Sequence, residues 1–200
     1  FGGDFDSQAV QRELDGLYDF PVPLRVVGRG RYTLELFHGP TCAFKDFGAG
    51  FMGRMTGLLG AADEKLVILT ATSGDTGKAA LEGFKDKDGI QIAVMYPDGG
   101  VSDIQYKQMA TQEGSNVNVW AVSGNFDDCQ TGAKNVFDDD AFNEALMNEQ
   151  KVALSSANSI NWGRLLPQVV YYISTYAQLV KEGKVNAGDP IDVCVPTGNF

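Results

Sequence analysis

Leu66-Val67-Ile68-Leu69-Thr70-Ala71 runs straight into Thr72-Ser73-Gly74-Asp75-Thr76-Gly77, and the join between the two sets the fold. An unbroken apolar run of this length reads as a strand buried on both faces. The small hydroxyl and glycine residues after it read as a tight turn into a helix over 76–87, capped by Asp75 or Thr76. Downstream the alternation continues. Strands are expected at 90–96, closed by Pro97-Asp98-Gly99-Gly100, and at 117–122, 152–155 and 191–195. Helices are expected at 103–113, about 126–138, 140–149 and 165–181. In the last of these Leu166, Val169, Val170, Ile173, Tyr176, Ala177 and Val180 lie along one side. Upstream, 8–18 reads as a short helix ended by Pro21 and Pro23, 32–37 as a strand, and 48–59 as a helix despite its glycines. Apolar strands alternating with helices specify an α/β fold with a parallel sheet and helices on both faces.

Composition narrows the function. The 200 residues carry 16 Lys and Arg against 26 Asp and Glu, a net charge of −10. That excess of acid opposes nucleic-acid binding, which needs clustered cations on phosphates. No stretch approaches the roughly 18 apolar residues of a membrane helix, and no secretion leader is visible. Cys42, Cys129 and Cys194 form no CxxC pair, and their spacing matches no zinc site. Scattered cysteines suit a reducing, cytoplasmic compartment. With His38 as the single histidine, a histidine-rich metal centre is excluded. Composition leaves the oligomeric state open, with a monomer favoured. The chain begins at Phe1 without a Met and stops in a loop after an apolar run, so we read it as a segment of a longer protein.

Two apparent nucleotide motifs fail on context. Gly48-Ala49-Gly50-Phe51-Met52-Gly53 matches GxGxxG, but a loop rather than a strand precedes it, and Asp63 and Glu64 come too early for the ribose acid. Glycines that let a helix pack closely are the better reading. Gly77-Lys78 resembles a Walker A ending, but Ala79 stands where a Mg²⁺-binding hydroxyl belongs.

The 72–77 turn is balanced between two readings. Backbone N–H groups at a helix start suit an anion at the carboxyl end of a strand; ordinary capping explains the same residues. Thr197-Gly198-Asn199-Phe200 repeats that pattern after the last expected strand, as either an anion loop or a turn. Asn158-Ser159-Ile160-Asn161-Trp162-Gly163-Arg164 gathers amides, a hydroxyl and an Arg, either for a second anion or as a helix cap with a surface Arg. Trp120 and Trp162 are expected in or near the core. Lys45, between Phe44 and Phe47, reads more simply as a solvated lysine beside Asp46. An amine desolvated among aromatics would instead have a lowered pKa and act as a nucleophile.

Together these segments resemble a known family. His38-Gly39-Pro40-Thr41-Cys42-Ala43-Phe44-Lys45-Asp46-Phe47-Gly48 is similar to the cofactor-lysine motif of the threonine synthase family. Ala71 to Gly77, Ser156 to Asn161 and Pro196 to Phe200 follow in that family's order. The resemblance covers nearly the whole chain from about Leu24. It implies a fold-type II pyridoxal-phosphate enzyme, tryptophan synthase β-like, here lacking parts at both ends. Residues 1–65 would belong to the larger domain with the cofactor lysine. Residues 66–155 would form a smaller α/β domain, and 156–200 would return to the larger domain and begin the phosphate loop.

The resemblance further implies that Lys45 is catalytic and carries pyridoxal 5'-phosphate as a Schiff base. Gly198, Asn199 and Phe200 would start the cofactor-phosphate loop. Asp75, where many relatives have Asn, would face the cofactor, and Ser73, Thr76, Thr41, Asn158 and Arg164 the substrate. The group meeting the pyridine nitrogen would lie beyond Phe200. The implied reaction takes O-phospho-L-homoserine and water to L-threonine and phosphate, with no metal. Two rivals stand beside it: a related pyridoxal-phosphate phospho-lyase or dehydratase, and a non-catalytic anion-binding α/β domain.

Overall fold

The structure, a computed structural model, describes residues 6–59 and 65–196. Its centre is a four-stranded parallel sheet of β3 (Lys65–Ala71), β4 (Ile90–Pro97), β5 (Val117–Val122) and β6 (Val152–Ser155), in the order β5-β4-β3-β6. The residues chosen for these strands from sequence form them, with ends within one residue. Buried side chains alternate across the sheet. Ile68, Ile92 and Val94 face one side with Met52, Leu81, Phe84 and Met109. Leu69, Ala71 and Ala93 face the other with Cys129 and Ala133. The first layer is built by α2 (Lys45–Leu59), α3 (Asp75–Phe84) and α4 (Asp103–Ala110), the second by α5 (Phe126–Asp138). The expected arrangement of a parallel sheet with helices on both faces is therefore what forms.

Outside the sheet, α1 (Ser7–Leu14) leads to a small antiparallel pair, β1 (Leu24–Gly28) with β2 (Arg31–Leu34). Between β5 and β6 come α6 (Asp140–Ala145) and a π-helical turn over Leu146–Gln150. After β6 stand a single helical turn, α7 (Trp162–Leu165), a 3₁₀ turn over Leu166–Gln168, and α8 (Val169–Lys181).

Several expectations are corrected. The helix expected at 165–181 is interrupted, because Pro167 lacks an N–H and crowds the preceding turn. Its apolar stripe also does not face inward: Val169, Val170 and Ile173 are exposed, while Tyr171 and Leu179 are buried. Residues 191–195 form no strand: among the described residues they pair with neither sheet, and Val193 and Val195 are exposed. The helix at 48–59 begins three residues earlier, at Lys45. Neither Trp is in the core: Trp120 projects from the edge strand β5, and Trp162, at the start of α7, is 75% exposed. Gly74, not Asp75 or Thr76, is the N-cap of α3. No helix among the described residues is long and apolar enough to cross a membrane.

The glycines of α2 do pack a helix closely. A Cβ on Gly53 would collide with the Gly83 carbonyl, and one on Gly83 would lie 2.6 Å from the Ala49 carbonyl. The α2–α3 crossing is thus a backbone-to-backbone contact, and it carries the first residue of α2 toward the first turn of α3.

Candidate active site

The carboxyl ends of β3 and β6 are laced together. Asn158 pairs its amide with both backbone groups of Ala71: Nδ2 donates to the carbonyl at 2.7 Å, and the N–H donates to Oδ1 at 3.1 Å. The side chain acts as one more rung beyond the last strand pair. Ala157 N–H donates to the buried Thr70 hydroxyl at 3.3 Å. Asn161 caps α7, accepting from Gly163 N–H at 2.9 Å while its Nδ2 donates to the Ser156 carbonyl at 3.0 Å. The polar run at 158–164 is therefore largely scaffold, and what it positions is Arg164.

The turn after β3 is held from within. Thr72, fully buried, accepts from Gly74 N–H at 2.9 Å and Gly77 N–H at 2.8 Å through its one hydroxyl oxygen. Gly74 takes φ +141°, a conformation that only glycine adopts freely. This bends the chain so that Asp75 and Thr76 open α3 side by side.

Lys45 meets that turn from the other direction. It is the first residue of α2 and only 9% exposed. Its Nζ donates to Thr76 Oγ1 at 3.0 Å and lies 5.3 Å from the centre of the Phe44 ring. Arg164, 4% exposed, directs Nη2 to the same Thr76 oxygen at 3.4 Å and Nη1 to the Ala157 carbonyl at 2.9 Å. Two cations therefore converge on one hydroxyl. Burial, and after it the Arg164 charge, lowers the Lys45 pKa from 10.5 to about 8, against an opposing pull from Asp75. Burial also lowers that of Arg164.

The backbone on either side of Lys45 is pinned by aromatic residues. Tyr171 donates its hydroxyl to the Phe44 carbonyl at 2.9 Å, and Tyr18 to the Phe47 carbonyl at 2.9 Å. Both rings pack on Phe47, with centroids 5.0 Å away. Asp46, buried beside Lys45, accepts from the Thr41 N–H at 2.9 Å and from the Thr41 hydroxyl. A Cβ on Gly39 would run into this carboxylate, so the 38–44 loop closes tightly over it.

Of the expected site residues, the structure brings together Lys45, Thr76, Arg164 and Asp75. Ser73 lies in the same turn, exposed. Thr41 is spent on Asp46 and Asn158 on Ala71 rather than presented to a cavity. Gly198, Asn199 and Phe200, with Thr197, lie outside the described residues. The reading of Lys45 as a solvated lysine beside Asp46 does not hold: Asp46 is engaged by Thr41, and the amine is buried against Thr76. Sequence reasoning missed Thr72, Tyr18 and Tyr171 as supports, and it missed Gln105, which donates Nε2 to Asp75 Oδ1 at 2.7 Å. The Ser102-x-x-Gln105 capping-box pattern at the head of α4 was the available signal for the last.

No family model matches the chain. Individual proteins do. It is 46% identical over 183 residues to threonine synthase-like 1 of Pongo abelii, covering 89% of this chain and 25% of that protein. It is 43% identical over 203 residues to threonine synthase of Haemophilus influenzae, covering 100% of this chain and 45% of that protein. The pyridoxal-phosphate-bound threonine synthase of Brucella melitensis matches in structure with a TM-score of 0.79 at 41% identity, over 89% of this chain and 38% of that one. The chain spans less than half the length of these relatives.

Proposed function

From a chain that belongs in sequence to the threonine synthase family, and in fold to the fold-type II pyridoxal-phosphate enzymes, we infer that this protein is a pyridoxal-phosphate-dependent lyase. Its reaction takes O-phospho-L-homoserine and water to L-threonine and phosphate. The observation that supports this best is Lys45: a buried amine at the head of a helix, its pKa near 8, aimed at the turn that follows a buried parallel strand.

The residues fit the cofactor chemically. A carbonyl group needs an amine with a free lone pair, and desolvation supplies one near neutral pH. Lys45 would hold the cofactor, Asp75 would face it, and Gly198, Asn199 and Phe200 would hold its phosphate. When bound, pyridoxal phosphate supplies an electron sink for carbanions beside the substrate amino group. The remaining work falls to this chain's side chains. The Lys45 amine would carry protons at the substrate's Cα and Cβ. Thr76 Oγ1 holds that amine in place. Arg164, fixed by the Ala157 carbonyl, offers a guanidinium to an anionic group of the substrate, and Ser73 a hydroxyl from the open side of the turn. The same reading assigns 1–65 and 156–200 to a larger domain and 66–155 to a smaller one.

The test mixes the complete protein with pyridoxal phosphate, reduces with borohydride and maps the labelled peptide, then supplies O-phospho-L-homoserine and identifies the product. Label on Lys45 and formation of threonine are expected. A 2-oxo acid in place of threonine would transfer the protein to the phospho-lyases or dehydratases. Absence of label on Lys45 would overturn the reading and leave an anion-binding α/β domain.

A further inference from the structure

Gln105 sits at the junction of two tasks. It is the third residue of α4, and its Oε1 closes the capping box there, accepting from Ser102 N–H at 3.2 Å and from the Ser102 hydroxyl at 3.0 Å. Its Nε2 is left to reach across to α3 and donate to Asp75 Oδ1 at 2.7 Å. A primary amide suits this double duty, with an acceptor at one end and a donor at the other. The side chain also lies directly over Gly74, where any Cβ would strike its amide. Gly74 is therefore the gap through which Gln105 passes to Asp75.

The charged groups around Lys45 show what that contact does. They are Arg164 from α7, Asp75 from the head of α3, and Asp46 on its own helix, the last engaged by Thr41. Asp75 is the opposite charge that acts on Lys45 across the site, yet among the described residues no ion pair joins them. Asp75 is exposed and has room to turn; its bond to Gln105 directs it toward α4.

We propose that Gln105 is a positioning residue that holds Asp75 toward α4 and back from an ion pair with Lys45, keeping the amine free for the cofactor. This rests on the reading of Lys45 and Asp75 as cofactor-facing, and the latch itself appears in no motif of the family resemblance. Without the Gln105 amide donor, Asp75 is free to turn toward Lys45, on whose charge it already acts. A carboxylate in contact favours the charged amine, so Lys45 becomes harder to deprotonate.

The experiment follows the Lys45 amine of the complete, cofactor-free protein, through the pH dependence of its modification by trinitrobenzenesulfonate, mapped to the Lys45 peptide. The midpoint should lie near 8 in the wild type. Gln105→Met keeps the volume over Gly74 and removes the donor; its midpoint should rise by about one unit, a tenfold loss of free amine at neutral pH. Asp75→Asn should lower the midpoint, and adding Gln105→Met to it should change nothing further. Ser102→Ala removes the hydroxyl donor to Gln105 Oε1 but keeps the Ser102 N–H donor and the Gln105–Asp75 pair, so it should leave the midpoint in place. Gln105→Leu also removes the donor without adding a charge and should also raise the midpoint, which covers the case in which Gln105→Met does not fold. An unmoved midpoint in both Gln105 variants, or an equal shift in Ser102→Ala, would overturn the proposal. Because no cofactor is present, that result is separate from failure of borohydride to fix pyridoxal phosphate on Lys45.

Discussion

At the scale of single residues, the site turns on a lysine whose charge is unwelcome where the fold places it. Folding lowers the Lys45 pKa from 10.5 to about 8, so between those values the unfolded chain binds the extra proton and the folded chain does not. Stability therefore rises with pH across that window, and below it the protein carries the full cost of burying the ammonium. Lys45→Met removes that cost. The cofactor-free variant should melt above the wild type at pH 7, with the gap narrowing as pH rises from about 8 to 10.5, while it binds no pyridoxal phosphate covalently. Thermal melts across pH check this, and a variant that melts lower at pH 7 contradicts it. Arg164→Gln takes away the neighbouring positive charge, so the Lys45 midpoint should move up, opposite to Asp75→Asn. The local residues around Lys45 read more simply as a solvated lysine, and it is the resemblance of 38–48 to a cofactor-lysine motif that singles it out. Its partners are not legible locally, because Thr76 and Arg164 reach it only through the crossing of α2 over α3 and the return of the chain after β6.

At the scale of elements, the α2–α3 crossing positions that lysine, and two glycines of one helix separate packing from propensity. Gly53 sits where a methyl would meet the Gly83 carbonyl, while a Cβ at Gly57 would meet nothing within 4 Å. Alanine gains about 1 kcal/mol over glycine in a helix interior. Forcing a methyl into a closed backbone contact costs about 3 kcal/mol, so packing wins at Gly53 and propensity at Gly57. Gly53→Ala should destabilise the protein by about 2 kcal/mol and weaken cofactor attachment. Gly57→Ala should stabilise it by up to about 1 kcal/mol and leave attachment unchanged. Denaturant titrations of the two variants check the pair. The same contrast explains which elements could be read in advance. The apolar runs at 66–71, 90–96, 117–122 and 152–155 became the sheet, and for the two central strands, β3 and β4, burial on both faces is written directly into composition. The run at 191–195 looks the same locally but pairs with no strand among the described residues. The stripe on α8 failed for a related reason: periodicity reports that a helix has an apolar side, not which way that side turns. Lys45 as the start of α2 was hidden because Phe44, the residue before it, is not a capping type.

At the scale of the whole molecule, two surface properties oppose each other. Val169, Val170 and Ile173 on α8, with Leu166, Ile160 and Trp162 nearby in sequence, are all exposed, Ile173 at 65% and Trp162 at 75%. Apolar residues gathered in this way favour association with another surface. The net charge of −10 pushes copies apart. Salt acts on only one of the two: raising it from roughly 0.05 to 0.5 M shortens the screening length to a few ångströms, while burial of apolar surface is not weakened. The 200-residue chain should therefore self-associate more as salt rises, the reverse of an assembly held by ion pairs. Substituting Ser at both Val170 and Ile173 leaves the charge unchanged and removes much of the apolar surface, so it should abolish the salt-dependent increase. Sedimentation velocity at the two salt concentrations reads this directly. Association that falls with salt, or that persists in the Val170→Ser, Ile173→Ser variant, would place the contact on charged groups elsewhere on the molecule.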